Sequence, residues 1–120
     1  MNRVLVATAI FAWVCACATT GGRNVSQHEN GDPLDQAHSL WLMIVGEQAQ
    51  LERALESINE ATCAGMCTSI HNLSDLSSLL CDLAKEHAGT APLSSLCRDG
   101  RTREQQARQR ARDAGCPCSE

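Results

Sequence analysis

Eight cysteines in 120 residues constrain this chain more than any other feature, because six of them recur as spaced pairs: Cys63 with Cys67, Cys81 with Cys97, and Cys116 with Cys118. Such a set needs regular elements of matched length to bring thiols level with one another. Little else is available to hold a fold. The chain has no tyrosine, one phenylalanine and two tryptophans, and Phe11 and Trp13 both precede Cys17, so Trp41 is the only aromatic residue beyond that point. A core of Leu, Ile, Val, Met and Ala in so short a chain buries modest area, against about 1–2 kcal/mol of backbone entropy per ordered residue. Domains of this size commonly rely on covalent staples.

The other two cysteines belong to an export segment spanning residues 1–18. Met1-Asn2-Arg3 is a short positive start, and Val4 to Ala16 is an apolar run too short to cross a hydrocarbon core of about 30 Å as a stable helix. Two cleavage sites compete. Val14-Cys15-Ala16-Cys17 has the branched residue and the small residue that precede a lipidated cysteine, which makes Cys17 the first residue of the mature protein. Ala16-Cys17-Ala18 is an A-x-A site, which releases a soluble protein after Ala18. The lipidated form is the expectation, since a polar tether follows directly.

Residues 19–32, rich in Thr, Gly, Asn, Ser and Gln, show no apolar period and read as a disordered linker. Residues 33–118 form the domain. Asp32-Pro33 is a helix start, and Ala37, Trp41, Ile44, Leu51, Leu55 and Ile58 lie on one helical stripe, so a first helix is expected to run to about Thr62 and fray near Gly65. Asn72 with Asp75 three residues on has the form of a capping box for a second helix, with Leu73, Leu76, Leu80, Leu83 and Ala84 inward and Gly89 as its stop. Pro92 opens a third, whose inner residues are Leu93, Leu96, Cys97, Gly100, Ala107, Ala111 and Ala114. The expected fold is all-α: an up-down-up three-helix bundle stapled by disulfides.

That topology predicts pairings. Cys81 and Cys97 lie eight residues either side of Gly89, level across the second hairpin, and are expected to bond. Up-down-up order also puts Cys63 and Cys67 at the pole where the third helix ends at Cys116-Pro117-Cys118. Of the fifteen pairings open to six cysteines, two then remain: nested Cys63–Cys118 with Cys67–Cys116, which is preferred, or the exchanged Cys63–Cys116 with Cys67–Cys118. The same four sulfurs also have the convergence of a zinc or iron–sulfur site or a redox dithiol, but an oxidising compartment favours disulfides. No metal or cofactor is expected.

No catalytic constellation stands out. None of His28, His38, His71 and His87 has a partner at helical spacing that would make a metal or catalytic motif, no serine sits in a G-x-S-x-G setting, and there is no phosphate or calcium loop. Charge is unevenly spread, with ten acids against Arg53 and Lys85 from Asn24 to Cys97, then six arginines against four acids. A basic third helix beside acidic ones lowers the self-repulsion of each. Without aromatic interleaving those arginines do not suit nucleic acid. Trp41, Leu42, Met43, Ile44 and Val45 are apolar all round the helix: a turn buried between two neighbours, or a patch that meets a partner.

The motifs Val14-Cys15-Ala16-Cys17, Cys63-x-x-x-Cys67, Leu80-Cys81-Asp82-Leu83-Ala84, Leu96-Cys97-Arg98-Asp99 and Gly115-Cys116-Pro117-Cys118 together resemble small cysteine-rich bacterial lipoproteins that carry no assigned activity. The likeness spans nearly the whole chain and implies a lipid on Cys17. The domain is also similar, by analogy, to saposin-like helical proteins tied by three nested disulfides, which implies lipid binding. It departs from them in the short interval between Cys67 and Cys81 and in the long helix before the first cysteine of the domain. The expected function is thus that of a non-enzymatic cell-envelope lipoprotein facing an oxidising compartment, a structural or interaction module with an unidentified protein partner. The alternatives are a secreted lipid or small-ligand carrier using the Trp41–Val45 patch, and a redox or metal protein using Cys63, Cys67, Cys116 and Cys118.

Overall fold

A computed structural model describes residues 31–119. The expected export segment, Cys17 and most of the expected linker lie outside the described residues. The domain is a three-helix bundle, α1 (Pro33–Leu55), α2 (Glu60–Glu86) and α3 (Ala91–Asp113), with no strand among the described residues. Asp32 caps α1, its carboxylate accepting from the Leu34 N–H at 2.9 Å with Pro33 in the first turn.

The first helix is shorter than the apolar stripe predicts. It ends at Leu55, and the chain reverses before Asn59. There the Asn59 side chain accepts from the Thr62 N–H at 3.0 Å while the Thr62 hydroxyl accepts from the Asn59 N–H at 2.8 Å. This reciprocal cap satisfies two donors that a helix start would otherwise leave open. It starts α2 thirteen residues before Asn72, which lies inside α2 and donates instead to Glu47 Oε1 of α1 at 3.1 Å. Ile58, placed on the inner stripe by period, is an exposed turn residue. Gly65 ends nothing and sits within α2.

The core is aliphatic. Ala37, Ile44 and Leu51 of α1 meet Met66, Ile70, Leu73 and Leu80 of α2 and Leu93, Ala107 and Ala111 of α3, all essentially sealed from solvent. Small residues set the α2–α3 spacing. Gly100 faces Ser77, and a Cβ on that glycine would lie 3.3 Å from the serine hydroxyl. One inner position of α3 breaks the apolar pattern: Glu104 is only 8% exposed. Its carboxylate accepts from Arg101 at 3.3 Å and from Arg108 at 3.2 Å, one turn away on either side, so the buried charge is neutralised within its own helix.

Candidate functional site

Two features of this bundle carry chemistry: the cysteine pole and a groove between α1 and α2. At the pole, Cys63 and Cys67 occupy the first two turns of α2, not the end of α1, and one face of that helix presents both. They meet the tail that leaves α3. Cys63 bonds Cys116 and Cys67 bonds Cys118, each pair with Cα atoms 5.3 Å apart. The nested arrangement, Cys63–Cys118 with Cys67–Cys116, is therefore not the one formed.

The reason lies at Gly115. With φ at +81°, it adopts the left-handed conformation that glycine enters without a Cβ clash. The Cys116 N–H then donates back to the Ala111 carbonyl at 2.8 Å, closing the helix end in the Schellman manner. The chain is turned back on itself. Residues 116–118 consequently run in the same sense as residues 63–67, so the first thiol of one segment meets the first of the other. A tail that simply continued along α3 would have run the opposite way and nested the bridges.

The third bridge joins Cys81 to Cys97 across the α2–α3 hairpin, with Cα atoms 4.6 Å apart. All three bridges therefore link α2 to α3 or its tail, and α1 contains no cysteine. Cys116 is buried at 2% exposure, whereas Cys67 and Cys118 are half-buried. The six sulfurs are joined in pairs, while a four-thiolate metal centre requires them reduced. Among the described residues no cluster of three or more His, Cys, Asp or Glu is arranged to hold a metal ion. His38, His71 and His87 are all exposed, and His71 lies 3.5 Å from the Asp75 carboxylate one turn along α2.

The apolar run Trp41–Val45 does not act as one surface. Ile44 enters the core. Trp41 turns toward α3, where the Arg103 guanidinium carbon stands 4.7 Å from its ring centroid and the same guanidinium donates to Gln48. Leu42 and Val45 are exposed. Met43, 57% exposed, is turned the other way and lines a groove of about 450 Å³ against α2. Leu40 and Leu83 form the floor of that groove, Met43 and Leu79 its walls, and Gln36, Ser39, Asp82 and Glu86 its polar edge. Sequence periodicity missed the groove because Leu79 stands off the buried stripe of α2. The signals were the run Trp41–Val45, which contains Met43, and the pair Leu79-Leu80, in which one leucine must face away from whatever the other packs against.

The arginines of α3 are largely occupied. Arg110 pairs with Glu52 of α1, one contact being 2.9 Å, and this is the one ion pair between helices among the described residues. Arg112 donates to Gln109. No described helix is long and apolar enough to cross a membrane. Comparison with protein-family models, with curated proteins and with solved structures finds no match.

Proposed function

We propose that this protein is an exported, membrane-anchored interaction module: a disulfide-stapled helical bundle carried on a polar tether from lipidated Cys17. One observation carries the reading. The three bridges consume every cysteine of the domain, so none of those six is left to pair with Cys17. It stands directly after Val14-Cys15-Ala16, where a lipid-attaching signal requires it. Three disulfides also suit an oxidising compartment, where they persist. The carrier reading rests on the run Trp41–Val45, of which Ile44 enters the core and Trp41 meets Arg103 of α3, while Leu42, Met43 and Val45 stay exposed.

Intact-mass analysis of protein taken from its own envelope tests the proposal, paired with fractionation of a Cys17→Ser variant. The expected mature chain begins at Cys17, carries added acyl mass and has no free thiol, and the variant leaves the membrane fraction. An unlipidated chain beginning at Thr19 overturns the anchor in favour of secretion. Four free thiols, or a bound metal, overturn the stapled account in favour of a redox or metal protein.

A further inference from the structure

We infer that the groove between α1 and α2 is a docking site for a cationic amphipathic helix of another protein. The inference rests on the interaction-module reading and names the chemistry of the partner. The apolar part comes from two large side chains that gain nothing where they stand. Met43 and Leu79 are 57% and 56% exposed, on opposite walls, above a floor of Leu40 and Leu83. Paired exposure over one floor differs from the singly exposed Leu34, Leu42, Val45 and Ile58. Residues 36–43 and 79–86 each supply about 10 Å of helix at 1.5 Å per residue. A groove of that length, running between two helices, takes two turns of a third, with anchors at i and i+3 or i+4.

Charge selects the occupant. Asp82 and Glu86 stand on the edge of the groove, and Glu86 has no ion pair among the described residues. Lys85, the only lysine or arginine of α2, lies 3.4 Å from Asp82 and offsets part of that one charge. A partner with lysine or arginine flanking its apolar anchors gains both contact and steering. The same acids disfavour an anionic lipid surface. They also disfavour a second copy: a twofold pairing of the grooves sets acid against acid. The cationic α3 turns outward Arg98, Arg101, Thr102, Gln105, Gln109 and Arg112, which offer no apolar anchor. The contact is small, and binding in the weak, transient range follows from that.

The test uses the full mature chain in its Cys17→Ser form, so that binding is measured independently of anchoring. A synthetic helical peptide of about sixteen residues, with leucines at i, i+4 and i+7 between lysines, is titrated calorimetrically. A scrambled isomer and a lysine-to-glutamate version serve as controls. The expected result is saturable binding at least about tenfold tighter than either control. Met43→Gln and Leu79→Gln should each weaken it about tenfold, with helicity and disulfides unchanged because both side chains are mostly in solvent. Asp82→Asn with Glu86→Gln should flatten the salt dependence. Equal binding of the scrambled peptide, or indifference to Leu79→Gln, overturns the inference. So does Leu79-dependent binding to phosphatidylcholine vesicles, which would assign the groove to lipid, or Leu79-dependent self-association, which would assign it to a second copy. No peptide binding by this form, together with acyl mass on Cys17 of the unsubstituted protein, sinks the groove alone; the reverse sinks the anchor alone.

Discussion

Arg103 lies over the ring of Trp41, its guanidinium carbon 4.7 Å from the centroid, and so joins the C-terminal half of the chain to the only aromatic side chain of the folded domain. The same guanidinium donates to Gln48 two turns further along α1. Arg103→Ala removes both contacts. A half-buried cation–π pair contributes about 0.5–2 kcal/mol, so the variant should lose about 1–2 kcal/mol of stability. In a chain that begins at Cys17, Trp41 is the one tryptophan, so its fluorescence in a denaturant titration reports the loss. A shift in emission without loss of stability would mean the arginine covers the ring but does not hold α3.

The two tail bridges are predicted to be non-additive. Cys63–Cys116 and Cys67–Cys118 close loops of 53 and 51 residues that are nearly the same loop. With either bridge in place the other closes only the small ring through residues 63–67 and 116–118. Removing one pair by Cys→Ser should therefore cost about 2–3 kcal/mol, whereas removing both should cost about 6–7 kcal/mol, more than the sum. Chemical denaturation of the three variants under non-reducing conditions measures this.

Gly115 should govern which of those bridges form. No atom crowds its missing side chain, so Gly115→Ala meets only the left-handed backbone penalty, about 1–2 kcal/mol. If the turn fixes the pairing, partial reduction and differential alkylation of the variant should find some Cys63–Cys118. A variant with unchanged pairing would show that helix packing alone selects it.

Much of this architecture was legible in the residues, and what was not has identifiable causes. The stripe of Ala37, Ile44 and Leu51 and the level placement of Cys81 and Cys97 follow from a period of 3.6 and a single glycine turn. The end of α1 was concealed because Leu55 and Ile58 continue the apolar period straight through the break. Only the Asn59–Thr62 cap marks it, and threonine is a less familiar third residue for that motif than glutamate. Asn72 offered a better-looking cap in a place where its side chain does something else. Glu104 was hidden by its charge: nothing in the pattern said that Arg101 and Arg108 would allow an acid to face inward. The pairing at the pole failed on direction. Gly115 was readable as a stop, but a stop does not say which way the chain leaves.

The groove was half visible, through Met43 in the run Trp41–Val45, and its α2 wall was hidden for a related reason. Hydrophobic periodicity finds the side of a helix that faces its own core, and Met43 and Leu79 lie on neither buried stripe. Their significance appears only when two helices set them opposite one another.

The placement of the staples has a mechanical consequence. All three covalent links belong to α2, α3 and the tail, so these form a frame that stays connected whatever happens to packing. α1 is attached to that frame by the chain at residues 56–59 and otherwise only by side-chain contacts. It is also the first described helix, so any pull on the domain from its N-terminal side is delivered first to the one helix that no disulfide restrains. Under load this protein should yield by peeling, one helix coming away from an intact bracket, and amide exchange should rank α1 as the first to open.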